Sequence, residues 1–413
     1  MDEQNCPVCK SVDISKFLDL GRQPPANGLS TTAEMAASAE KYPLLLMMCN
    51  NCLYVWLDHE VPAANLFSNN TYLTGISSET RDHMKNLFDD CIATCKLNSS
   101  SKILDIASND GTLLAFFKES GMQVTGIDPS APASELANAK GINTICDFFN
   151  EESAGRLLLE FGKVDIITAT NVITHVPDPV SFLGNCKKIL KGSGTIVLEF
   201  YNFENIIENN AFDQIYHEHI SYFNFTVFYN ILKNAGLRPY KVAETRAQGG
   251  SLRVFVSRMD EQHEPDDSVP QTLNSEGGPI NILRRYISFP KKVIDRKNEI
   301  NALLKEELDA GSVIIGYGAS AKATVISNYL GFTPGTIKAI ADKSPIKIGR
   351  FIPGVGIPII SPEQINDLNP DLIIIFAWNI KNEIIDTLPS LVRDKCRALS
   401  LIPTIKFYTI QKT

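Results

Sequence analysis

The chain is most readable at first through what it does not contain. None of its 413 residues belongs to an apolar run near the ~20 needed to cross a bilayer, so no membrane span is expected. Basic residues are in deficit, 39 Lys and Arg against 47 Asp and Glu, which argues against a chain that wraps nucleic acid. The opening "MDEQNCPVCK" is polar and acidic where a signal peptide would be basic and then apolar, so a cytoplasmic protein is expected. Histidine is scarce, six in all, yet two of them flank one glutamate in "FDQIYHEHISYF", residues 212–223. If that segment is extended, alternation puts His217 and His219 on one face and Tyr216 and Glu218 on the other. A metal site and a general base with its supporting groups both fit that pattern.

Cysteine is not scarce. Without an export signal, nine cysteines read as thiols or metal ligands rather than disulfides. Cys6 and Cys9 form C-P-V-C, and Cys49 and Cys52 form C-N-N-C; two such knuckles can set four thiolates around a structural zinc. A closed site of four thiolates leaves no open coordination position, so the metal would staple a small module and do no chemistry. Cys91 and Cys95, one helical turn apart, read as core residues.

From Lys102 onward strands and helices alternate. "KILDI", "QVTGID", "NTIC", "VDIITAT" and "GTIVLEF" read as buried parallel strands of a doubly wound α/β sheet, extended by a helix near 225–236 and by "SLRVFVS". A polar stretch, 259–279, reads as a linker. A long amphipathic helix over about 280–310 then leads into a second α/β run with strands "SVIIGYG", "IKAIAD" and "DLIIIFAW". The expected organisation is a zinc module over 1–75, an α/β domain over 76–258, the linker, and a second Rossmann-like domain over 280–413.

Two loops have the form of cofactor sites. "DIASNDG" brings Asp105, Ala107, Asn109, Asp110 and Gly111 between strand and helix, and Asp128 follows 23 residues after Asp105, where an acid commonly meets ribose hydroxyls. Ala107 and Asn109 replace glycines that a pyrophosphate would want, a change that S-adenosylmethionine tolerates better than NAD. "GYGASAKA", 316–323, with Asp342 after the next strand, is closer to the dinucleotide pattern and taken alone gives an oxidoreductase reading; the plain alternative is that Gly316 and Gly318 only turn the chain tightly.

The motifs taken in order, the paired CxxC, "DIASNDG", "TNVITHVPDP", "YHEH", "GGSLRVFVS" and "GYGASAKA" followed by "ADKSPIKIGRFIPG", resemble the S-adenosylmethionine-dependent sugar C-methyltransferases of deoxysugar biosynthesis, such as dTDP-sugar C-3′-methyltransferases, over nearly the whole chain. The resemblance implies a class I methyltransferase Rossmann-like domain between a zinc module and a C-terminal Rossmann-like domain that helps enclose a nucleotide sugar. Asp105 stands where the family usually has Glu. Methyl transfer to carbon needs a carbanion, so the implied partner is a nucleotide-linked 4-keto-deoxysugar deprotonated at C3. By motif, His219 is the implied base, Glu218 orients the sugar, Tyr216 donates near the enolate oxygen, and Tyr72 and His175 reach the same site. Asn171 joins the cofactor set. Gly249, Gly250, Ser251, Arg253, Lys322 and Arg350 are candidate sugar or phosphate contacts. The competing expectations are an O- or N-methyltransferase, an NAD-dependent oxidoreductase, and a non-catalytic nucleotide-sugar binder.

Overall fold

Residues 5–67, 73–76, 78–245, 249–261, 263–392 and 396–410 are described in a computed structural model. In the N-terminal module, β1 (Ile14–Gln23), β2 (Tyr42–Cys49) and β3 (Val55–Leu57) pair antiparallel in that order. Their inward residues, Leu18, Leu20, Leu44, Leu46 and Val55, are buried, as expected of a sheet with one wet face.

The central sheet begins with β4 (Lys102–Ile106), β5 (Gln123–Asp128), β6 (Thr144–Cys146), β7 (Val164–Thr170) and β8 (Leu190–Tyr201). These are parallel and nearly continuous in apolar residues, because helices cover both faces. After β8 the chain leaves the sheet to form a two-residue strand, β9 (Ser221–Tyr222), which pairs with β3 and so completes the N-terminal module. It returns as β10 (Leu237–Thr245) and β11 (Ser251–Arg258), giving the order β10-β11-β8-β7-β4-β5-β6 with β10 and β11 antiparallel. The winding reverses between β4 and β7, the crevice where such sheets take ligands.

The third sheet comprises β12 (Ile314–Tyr317), β13 (Ile340–Ala341), β14 (Ile359–Ile360), β15 (Leu372–Ile375), β16 (Arg397–Ser400) and β17 (Lys406–Thr409), ordered β14-β13-β12-β15-β16-β17 and parallel except for β17. The helix Gly278–Asp309 feeds it and buries Ile282, Tyr286, Phe289, Val293, Ile300 and Leu304 along one stripe. Tyr286 and Phe289 meet Phe17 of the first module, ring centroids 5.7 and 6.1 Å apart, and Tyr286 also meets Phe203 of the central region at 5.2 Å. At that aromatic junction all three parts share one core.

The stretch read as a linker is partly structured. Ser268–Ser275 is helical with Val269 buried, and Glu276 accepts the backbone N–H groups of Phe225 and Thr226 at 2.7 Å each, capping the helix Phe225–Asn234. Polar composition misleads here because the polar groups are spent on capping rather than on water.

Candidate active site

The four knuckle cysteines converge, with sulfurs all within 4.8 Å of one another. Cys6 and Cys52 are 3.6 Å apart, and Cys9 and Cys49 are 3.5 Å apart. A tetrahedron with Zn–S bonds of about 2.3 Å has edges of about 3.8 Å, so the set fits zinc. Each knuckle turns in the same way: Lys10 N–H returns to the Cys6 carbonyl and Leu53 N–H to the Cys49 carbonyl, both at 2.9 Å, and Lys10 and Leu53 both adopt positive φ.

At the carboxyl edge of the central sheet lies a cavity of about 670 Å³, within the range of small-molecule sites. Ala107, Asn109, Asp128, Asn171 and His175 line it, as do Phe148 and Phe149 after β6. Ala107, Asn109 and Asn171 take φ of +56°, +50° and +55°, left-handed conformations that non-glycine residues adopt at a cost and that cluster at working sites. Asp128 accepts N–H groups from Asn109 at 2.9 Å and Ser130 at 2.8 Å, which fixes its carboxylate at the cavity wall. The set fits S-adenosylmethionine: a fixed acceptor for ribose hydroxyls and apolar rings for an adenine.

The other loop residues stand one layer back. Asp105 lies beneath the cavity, accepts the Thr168 hydroxyl at 2.6 Å, and is pushed up to about 7 by burial and by the nearby Asp128. Asp110 accepts Gly75 N–H at 3.1 Å and pairs with Lys140 at 3.1 Å, pinning the segment that leads into the helix Ser78–Thr94. Gly111, at φ +74°, begins the helix Thr112–Glu119, and a Cβ there would meet Ile142 at 3.1 Å. Tyr72 lies outside the described residues.

"YHEH" is a turn and not a strand: His219 N–H closes on the Tyr216 carbonyl at 2.9 Å. The expected alternation therefore fails. Tyr216 and His219 come together, ring centroids 4.0 Å apart, while His217 points to the first module and packs edge-on against Tyr42. His219 also faces His175 at 5.1 Å. The Nδ1 of His219 lies 2.8 Å from the Gln214 carbonyl, and that of His175 meets the Glu218 carbonyl. A carbonyl only accepts, so both rings carry the proton on Nδ1 and keep the lone pair on Nε2. Burial, aided by His175 and Lys322, holds His219 down at about 3. Glu218 accepts Asn27 Nδ2–H at 3.0 Å through one oxygen, the other has no partner among the described residues, and burial raises its pKa.

The C-terminal candidates separate. Lys322 is buried, 4.4 Å over the Trp378 ring, and donates at 3.1 Å to Asn379, which lines the cavity; burial lowers its pKa, opposed by Asp213. Asp213 in turn accepts Trp378 Nε1–H at 2.8 Å. Arg350 is exposed and donates to its own turn at Ile346, away from the cavity. Gly249 and Gly250 make close approaches to protein: a Cβ would meet Trp378 at 2.8 Å and Asn205 at 2.3 Å. Ser251 is buried in the β8–β11 ladder opposite Tyr201. Arg253 is fully buried with Glu199, Asn86 and Asp90 as partners, so it is a structural ion-pair residue and not a sugar or phosphate contact.

Sequence reasoning missed His83, Asn379 and Asp213. Only Asp213 had a signal, its place in the aromatic-rich segment before "YHEH"; the others stand alone in helical or turn sequence.

Three family models match in succession: a zinc binding domain over residues 6–67, a methyltransferase domain over 79–242 and a C-methyltransferase C-terminal domain over 246–403. The chain is similar to the C-methyltransferase NovU of Streptomyces niveus, 28% identical over 409 residues that span 99% of this chain and 97% of the relative. It is also 32% identical over 117 residues to a ubiquinone biosynthesis O-methyltransferase of Pasteurella multocida, covering 25% of this chain and about half, 48%, of that relative. Among solved structures, a SAM dependent methyltransferase from Archaeoglobus fulgidus overlaps 40% of this chain and 73% of its own, at 21% identity and a TM-score of 0.35.

Proposed function

The chain is an S-adenosylmethionine-dependent methyltransferase with a zinc-binding module, and from that premise we propose that it methylates C3 of a nucleotide-linked 4-keto-deoxysugar. Bound in the cavity, S-adenosylmethionine supplies an electrophilic methyl on a sulfonium. The acceptor must supply a carbon nucleophile, and a sugar C–H becomes acidic enough only beside a ketone.

In this reading His219 Nε2 takes the C3 proton and the C–H electrons pass to the 4-oxygen as an enolate. C3 then bonds to the methyl, while the carbon–sulfur electrons leave with the thioether. The observation that carries the reading is the fixed tautomer of His219, whose Nδ1–H is committed to the Gln214 carbonyl. An imidazole held down at about 3 is a weak proton acceptor, so the transfer needs the enolate stabilised as it forms. Tyr216, beside His219, is the donor for the enolate oxygen, and Glu218 offers its unpartnered oxygen to the sugar. Lys322, which donates to Asn379 of the cavity wall, suits a phosphate or a sugar oxygen. Among the described residues no helix is long and apolar enough to cross a membrane.

The test is mass spectrometry of the products formed from S-adenosylmethionine and nucleotide 4-keto-6-deoxyhexoses carrying deuterium at C3. A product one methyl heavier that has lost the deuterium supports C-methylation through an enolate. A methylated product that keeps it overturns the reading in favour of transfer to a heteroatom.

A further inference from the structure

His175 and His219 face each other from two loops far apart in sequence, and three hydrogen bonds buckle those loops together. Besides the contact of His175 Nδ1 with the Glu218 carbonyl, Ile220 N–H reaches the Thr174 carbonyl at 2.8 Å, and Ser221 Oγ donates to the Val176 carbonyl, also at 2.8 Å. The bonds run between residues that flank the two histidines. Ser221 has a single hydroxyl proton, spent on Val176, so its oxygen accepts from the Tyr54 hydroxyl, 2.6 Å away.

Tyr54 belongs to the second zinc knuckle. It follows Cys52 by two residues, and its carbonyl accepts Cys49 N–H at 2.9 Å, so closure of the knuckle fixes the backbone from which its ring extends. From there the chain enters β3 and its ladder with β9, where Trp56 lies opposite Ser221 and Leu57 N–H reaches the Ile220 carbonyl at 2.8 Å. A ladder this short makes few bonds, so the side-chain bond is a large part of what holds β9 in place.

Packing asks for neither hydroxyl. Tyr54 and Ser221 are fully buried, and the Tyr54 ring stacks on Trp56 with centroids 5.7 Å apart, a contact that phenylalanine would make as well. A buried hydroxyl is costly unless bonded, and among the described residues these two serve only the chain from Tyr54 through Ser221 to Val176. What that chain fixes is the setting of the His219 loop against the His175 loop. We propose that Tyr54 and Ser221 are positioning residues for proton transfer, through which the zinc knuckle holds His219 in register without touching the substrate. The proposal rests on the reading of His219 as the base.

The test begins without substrate, on the full chain labelled with 15N-histidine. The Nδ1 proton of His219, bonded to a buried carbonyl, is identified as the signal that vanishes in His219→Asn. In Tyr54→Phe that signal should shift or be lost to exchange, while zinc content and calorimetric affinity for S-adenosylhomocysteine stay within about twofold. With the nucleotide 4-keto-6-deoxyhexoses, kcat should fall about tenfold and KM stay within about twofold, since a misplacement of ~1 Å in a reacting group costs on the order of 10²-fold. An unmoved His219 signal overturns the proposal, and so does a loss of zinc or of cofactor affinity in proportion to kcat, which would make the bond a part of the fold alone. A moved signal with unchanged kcat instead overturns the base reading on which the proposal rests. Should Tyr54→Phe not fold, Ser221→Ala breaks the same chain from the other side and is read in the same way.

Discussion

The two parallel sheets repeat one arrangement, and the loop of the central copy lines the cavity described above. In the central sheet Asp128 receives N–H groups from Asn109 and Ser130 at 2.9 and 2.8 Å; in the C-terminal sheet Asp342 receives them from Ala319 and Ser344, both at 2.8 Å. Loop and acid correspond, with the loop donor 19 residues before the acid in the first copy and 23 in the second. What differs is what stands over the loop. In the C-terminal copy Lys347 donates to the Ala319 carbonyl at 2.9 Å and pairs with Asp342 at 3.5 Å, and a Cβ at Gly316 or Gly318 would strike Phe376 or Ala377. There the glycines admit neighbouring side chains and the acid is engaged by the chain's own lysine. A fingerprint of glycines and an acid thus reports the strand–loop–helix turn, and whether a ligand enters depends on the residues packed above it.

The largest effect belongs to the first copy alone. His219→Asn should lower turnover about 10²- to 10⁴-fold while S-adenosylhomocysteine affinity, read by calorimetry, stays within about twofold. Near-normal turnover would remove His219 as the base. Next, Asp128→Asn should weaken S-adenosylhomocysteine about 10- to 100-fold, and Asp342→Asn should leave that affinity unchanged. Equal effects would erase the contrast between the copies.

Acid should also tell them apart, because all six histidines precede residue 264. Burial holds His219 at about 3 when folded, against ~6.5 unfolded, so between those values the unfolded chain binds the extra proton and stability falls as pH is lowered. At pH 5 the cost is about 2 kcal/mol, and His219→Asn should make the loss of denaturation midpoint from pH 7 to 5 smaller. Asp105 has the opposite sign. Its folded value near 7 lies above ~3.8, so its ionisation weakens the fold as pH rises, and Asp105→Asn should stabilise at pH 8 by a few kcal/mol at most, on the order of its shift, and not at pH 3. A stabilisation independent of pH would refute that account. The smallest effect is expected from Lys347→Ala: fluorescence titration with NADH should show no binding, and quenching in that variant would mean the second loop is a dinucleotide site held shut.

The sequence was most legible where burial is uniform. β4, β5, β7 and β8 are buried on both faces over most of their length, and the short Ile, Leu and Val stretches in β4, β7 and β8 give that away. The four cysteines were legible because metal geometry constrains spacing. β9 was not, since its two residues pair only with partners 165 and 167 residues earlier, and the period assumed for "YHEH" failed because Tyr216 closes a turn on His219. Arg253 looked like a ligand contact in one dimension; its partners Asn86 and Asp90 lie more than 160 residues away. His83, which lines the cavity and meets Glu199, gave no local sign at all, because that partner lies 116 residues on.

The pairing of β9 with β3 also sets an order of events during synthesis. The N-terminal module can gather its cysteines early, but its sheet stays one strand short until Ser221 and Tyr222 leave the ribosome. At about 5–20 residues per second that is a wait on the order of ten seconds or more with the edge of β3 unpaired. The strand that ends the wait is the one that follows directly on His219, so the nascent chain closes its exposed edge and sets its proton acceptor in place in the same step.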